Sequence, residues 1–144
     1  MINEKNKKRS IKRTTSVNIS ACLVHSPLTA LKNALKEEDC FKGIIFSTTY
    51  IETYGKIRII EHFKQKEVEI KDDKIIKDLN LFRTIHFLYS LGIIDKTNYK
   101  KLEEIREKRN KIVHEKYENQ LIEKKDGLRM IKNSIEILET LGAK

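Results

Sequence analysis

The sequence is short of helix breakers, with one proline and five glycines among 144 residues. Hydrophobic residues make up 39% and charged residues 35%, and Lys, Glu, Ile and Leu are abundant. That combination favours an all-α fold. No strand-like alternation, internal repeat or glycine-rich phosphate loop interrupts the pattern. The two cysteines, Cys22 and Cys40, are too few for a disulfide framework. No apolar run approaches the roughly 18 residues a membrane span needs, and no signal peptide is found. A soluble, cytoplasmic protein without membrane association is therefore expected. Cys22 and His25 have a ligand-like spacing, but no second pair completes a tetrahedral site. Neither a metal nor any other cofactor is expected.

What the chain has in excess is positive charge. Its formal net charge is +9 and its isoelectric point about 9.5, which points to a polyanionic partner, nucleic acid first. A lysine-rich surface that serves solubility alone is the competing explanation. Lys5, Lys7, Lys8, Arg9, Lys12 and Arg13 face a single acid, Glu4, so residues 1–20 carry +5 of the +9. Polar and rich in Ser and Thr, this segment reads as a basic, flexible arm. Residues 21–144 are one domain's worth of chain, long enough for a hydrophobic core.

Apolar periodicity predicts a short helix from Ser26-Pro27 to Leu35, with Ser26 as N-cap and Pro27 at the first position. A long helix over 38–66 follows, its stripe reading Phe41, Ile45, Thr48, Glu52, Gly55, Ile59. After a charged loop over 67–73, a third helix spans 74–90. Ile75, Ile76, Leu79, Phe82, Phe87 and Leu88 make it apolar on much of its circumference, so it is expected to be the most buried. Arg83 and His86 near its stripe read as packing residues, and Gly92 as its C-cap. A fourth helix over 96–118 is capped by Asp95 or Thr97. Asp126-Gly127 signals a turn, and Leu128, Ile131, Ile135, Leu138 and Leu141 form the last helix. The architecture expected is an up-and-down bundle of four long helices plus a short N-terminal helix.

The fourth helix carries an anomaly. With Arg109 at zero on the helical wheel, Leu102, Ile105, Ile112 and Val113 fall within roughly 60° of it. An arginine therefore sits in the apolar stripe, where a guanidinium is costly unless it is paired or faces a cleft. Asn110, His114 and Tyr117 share a neighbouring ridge. Arg109 in such a place can also snorkel to water, and a histidine there can be a hydrogen-bonded structural residue. Glu52 lies in the stripe of the long helix as Arg109 does in its own, so the two invite pairing.

Arg109-Asn110 followed by His114 and then Tyr117 resembles the signature of the HEPN family (higher eukaryotes and prokaryotes nucleotide-binding domains). The resemblance covers roughly residues 38 to 142. It implies a small helical bundle and a metal-independent endoribonuclease whose active site forms across a homodimer. Arg109 and His114 would be catalytic, with Asn110, Tyr117 and an acid such as Glu52 supporting. Histidine suits proton transfer near neutral pH, and arginine's planar fork suits a phosphate. Arg109 and His114 lie about 140° apart on one helix, so a two-fold pair of helices is needed to bring two of each into one cleft. Asn110 would hold a phosphate or orient His114, and Tyr117 would stack a base or donate to the scissile group.

The same resemblance implies toxin–antitoxin or phage-defence biology, with a nucleotidyltransferase-type antitoxin as partner. In HEPN toxins encoded beside such a gene, the tyrosine follows the histidine by two residues; here it follows by three. A non-catalytic HEPN-like module that binds nucleotide or RNA, or regulates as a dimer, is the second function implied. A basic helical DNA-binding protein is a third, and no helix-turn-helix spacing supports it.

Overall fold

The computed structural model describes residues 26–114 and 122–144. The basic arm, the Cys22–His25 spacing and Tyr117 lie outside them. The described residues hold no strand and form α1 (Pro27–Lys36), α2 (Cys40–Gln65), α3 (Lys74–Lys77), α4 (Leu81–Ser90), α5 (Lys96–His114) and α6 (Lys124–Thr140).

Local chemistry sets most of the boundaries. Pro27 opens α1 with Ser26 at the N-cap, but the Ser26 hydroxyl donates to the Lys144 carbonyl instead of capping the helix. Asp39 caps α2 by accepting from the Lys42 amide at 3.0 Å, and Asp95 caps α5 by accepting from that of Asn98 at 2.7 Å. The third helix expected over 74–90 is broken in two. Asn80 takes an extended backbone, its side chain accepts from the Arg83 amide at 2.9 Å, and α4 starts afresh after it. A cap residue inside an apolar run thus overrides the periodicity around it.

The core is built around α2, which packs against α1, α4, α5 and α6. Ile44, Ser47, Thr48, Ile51, Gly55 and Ile59 are buried, and so are Phe46 and Tyr50 on a further side of the helix. The buried surface is thus rotated from the expected stripe, and Phe41 is 57% exposed. The helix expected to be most buried is not: Ile75 is 76% exposed and Phe82 46%. Only one side of α4, carrying Leu81, Thr84, Ile85 and Leu88, faces inward.

Contacts fix the sense of the helices. Ile131 lies over Gly43 while Gly127 lies against Cys40, so α2 and α6 run in the same sense. In α4 and α5, Tyr99 meets His86 and Tyr89 while Arg106 meets Phe82, so these two run in opposite senses. The alternation expected of an up-and-down bundle is therefore seen only in part.

Asp126-Gly127 does not form the expected turn; both residues lie inside α6. Glycine is there because of the closeness of α2: a Cβ on Gly127 would stand 2.6 Å from Cys40 Sγ and 2.8 Å from Cys40 Cβ. Burial and the Asp39 carboxylate push the Cys40 thiol above its ordinary pKa, so it behaves as a small packing group. Gly127→Ala should therefore cost about 1–3 kcal/mol of stability through overpacking, and adding Cys40→Ala should recover part of it. Chemical denaturation of the two variants checks this; a single variant as stable as wild type would mean the helices do not approach so closely.

Across the α5–α6 seam, Arg129 reaches both carboxylate oxygens of Glu104. That hydrogen bond holds the Glu104 pKa below the ordinary glutamate range. The stabilisation it gives is complete above the unfolded-state pKa of about 4.3 and is lost as pH falls through the lower folded value. Arg129→Ala should raise the Glu104 pKa measured by NMR titration and flatten the acid limb of the stability profile. An unchanged Glu104 titration would remove the pair.

Candidate functional site

Helix α5 positions the candidate residues. Leu102, Ile105 and Ile112 are buried and bind one face of the helix to the core. Arg109 lies on that same face and is half-buried. Its Nη1 donates to Asn110 Oδ1 at 3.1 Å, so the guanidinium is held by the next residue along the helix. Asn110 thus accepts from Arg109, and no hydrogen bond joins it to His114 among the described residues. Val113, expected in the apolar stripe, is 57% exposed: Ile112 beside it stays buried, and Val113 falls outside the face that packs on the core. His114, the final residue of the helix, is exposed and has no hydrogen-bond or ion-pair partner among the described residues. Arg109 and His114 thus share the end of one helix without meeting. Tyr117, the remaining expected member, lies outside the described residues.

Glu52 does not pair with Arg109. Its carboxylate is 3.1 Å from Lys56 Nζ, one turn along α2, and that ammonium also donates to the Lys77 carbonyl of α3 at 2.7 Å. With Ile51 and Gly55 turned into the core, Glu52 falls at a partly exposed edge beside α3, where a neighbouring lysine satisfies it. Among the described residues no group of three or more His, Cys, Asp or Glu is arranged to hold a metal ion. None of their helices is long and apolar enough to cross a membrane.

A second set of residues lies between α4 and α5. Tyr89 and Tyr99 stack with centroids 4.7 Å apart. Tyr99 leans on His86 at 5.3 Å, its hydroxyl 3.3 Å from His86 Nδ1, and His86 meets Phe82 edge-on at 4.2 Å. The Arg106 guanidinium covers Phe82, 5.0 Å from the ring centroid. Arg106 is itself gripped by Glu103, through Nε at 3.1 Å and Nη2 at 2.8 Å, which raises its pKa further and fixes its plane. In the sequence His86 reads as a packing residue and Phe82 as part of the apolar face, while Tyr89, Tyr99 and Arg106 carry no assigned role. The signal was present as Phe82, His86 and Tyr89 at spacings of four and three, rings on one face of a helix.

No protein-family model, curated protein or solved structure matches this chain.

The Glu52–Lys56 pair, partly exposed and one turn apart, is of a kind that contributes only about 0.3–0.5 kcal/mol. Glu52→Ala is therefore expected to lower stability by less than about 1 kcal/mol in urea denaturation. A loss near 3 kcal/mol, the scale of orphaning a buried charge, would restore the pairing with Arg109.

Proposed function

We propose that this chain is an HEPN-like, metal-independent endoribonuclease whose active site forms across a homodimer. The observation that carries the reading is the end of α5: a half-buried Arg109 held by Asn110, with an exposed His114 in the same last turns. A guanidinium set in place beforehand suits the charge that gathers on a phosphorane, since little reorganisation is left for the reaction itself. One chain supplies a single, unoriented imidazole there, and transesterification needs both a base and an acid. Two α5 helices related by a two-fold axis supply two. The exposed Val113 beside the site offers such a seam some apolar surface.

In this mechanism one His114 takes the proton from the ribose 2′-hydroxyl, whose oxygen attacks the adjacent phosphorus. The second His114 gives a proton to the departing 5′-oxygen, and both Arg109 forks bind the phosphorane oxygens. The products are a 2′,3′-cyclic phosphate and a 5′-hydroxyl. Tyr117 stacks a base or donates to the scissile group. The setting is cytoplasmic toxin–antitoxin or phage-defence biology, with a nucleotidyltransferase-type antitoxin as regulator. A second reading, a non-catalytic dimer that binds nucleotide or RNA, is favoured by one observation: no described side chain orients His114, as a general base ordinarily requires.

The purified protein is expected to scatter light as a dimer in moderate salt, and a strict monomer would remove the composite site. It should cut single-stranded RNA in the presence of EDTA. His114→Ala should slow cleavage at least about a hundredfold, the low end of general acid–base catalysis. Arg109→Ala should lose a similar factor, and Arg109→Lys should not restore it. Circular dichroism must show each variant folded. Activity that vanishes with chelator, or survives both alanine substitutions, overturns the mechanism; a folded dimer that binds but never cuts RNA establishes the second reading.

A further inference from the structure

We infer that the aromatic ladder between α4 and α5 is a stacking track for the bases of single-stranded RNA, leading to the end of α5. The inference deepens the proposed function and rests on that reading for its substrate. Tyr89, Tyr99, His86 and Phe82 are in continuous ring contact, and the Arg106 guanidinium closes the series. Phe82 and Tyr89 remain 46% and 39% exposed, so the residues at both ends of the track reach solvent, although Arg106 covers the Phe82 ring and Tyr99 one face of Tyr89. Base–aromatic stacking on such a surface tolerates any sequence, because every base has a π-face.

Charge around the ladder suits a nucleic-acid strand. Arg106 spends Nε and Nη2 on Glu103, while its Nη1 has no hydrogen-bond partner among the described residues. The Glu103 carboxylate is thus already matched. Arg83, next to Phe82, and Lys96, one turn before Tyr99, are exposed cations beside the track. Arg106 also stands three and four residues before Arg109 and Asn110, hence one turn away on neighbouring faces of α5. From Tyr99 to Arg109 the helix rises about 15 Å, room for more than one nucleotide on the way to the phosphate-binding fork.

Charge argues against a second copy of the chain as occupant: the exposed cations Arg83 and Lys96, with Arg106, would bring like charge against like if this face met its own copy. The track also leaves the last turns of α5 free for the dimer seam.

The test is binding of a fluorescein-labelled, single-stranded RNA of roughly 12 nucleotides, within the span such tracks cover. Its riboses are 2′-O-methylated, so it cannot be cleaved and binding is read apart from catalysis. Phe82→Leu and Tyr89→Leu should each weaken it about fivefold to a hundredfold, with an unchanged salt slope, because no phosphate contact is lost. Phe82→Tyr, which keeps the ring, should bind like wild type. Arg106→Gln should reduce the salt slope by about one. Thermal melts of the leucine variants, altered at exposed rings, control for folding. Unchanged RNA affinity in both folded leucine variants overturns the track even if the protein cuts RNA. Ring-dependent binding by a protein that cuts nothing keeps the track and removes the nuclease. Leucine variants that weaken binding only by dissociating the dimer, or a wild-type chain that does not bind the RNA, also overturn the track.

Discussion

Burial of α2 among α1, α4, α5 and α6 is the constraint on which the rest of the fold depends. A helix covered on so many sides cannot carry a large side chain at every inward position, because its neighbours' backbones must come close. Gly43 and Gly55 leave room for Ile131 and for Thr84 and Leu88, and Gly127 answers from α6. Ser47 and Thr48 are buried by returning their hydroxyls to their own helix, at 2.7 Å to the Gly43 carbonyl and 3.0 Å to that of Ile45. Such bonds let polar side chains sit in a core at little cost. With α2 fixed this way, α5 is seated through Leu102, Ile105 and Ile112, and the same last turns carry Arg109 and His114.

This arrangement explains what the sequence revealed and what it concealed. The all-helical fold and most helix ends were legible, because they follow from apolar spacing and from caps such as Asp39 and Asp95. The oddity of Arg109 was legible too, since a cation in an apolar stripe stands out on any helical wheel. The register of α2 was not. A helix buried on several sides has no single stripe, and Phe41 and Ile45 suggested one that packing did not follow. Asn80 looked like one polar residue in an apolar run, yet as a cap it divides α3 from α4. Asp126-Gly127 has the chemistry of a turn, and only the nearness of Cys40 shows why glycine stands there instead.

Partner choice was the other blind spot. On the helical wheels Glu52 and Arg109 each read as needing an opposite charge in the core. Neither does: Glu52 sits at an edge with Lys56, and Arg109 is satisfied in part by its own neighbour Asn110. A helical wheel gives the direction of a side chain but not which helix lies opposite, so pairing between helices is the first thing it loses. The aromatic ladder escaped for the same reason. Phe82, His86 and Tyr89 belong to α4 while Tyr99 and Arg106 belong to α5, so the ladder exists only once the two helices pack.

The shared sense of α2 and α6 has a consequence for how the chain reaches this state. The α1–α2 and α4–α5 pairs are neighbours in sequence and can close over short loops. The seat of α6 against α2 joins regions far apart in the chain, and such closure comes at a high entropic cost before its contacts stabilise anything. Folding is therefore expected to begin in the local pairs and to finish when α6 docks.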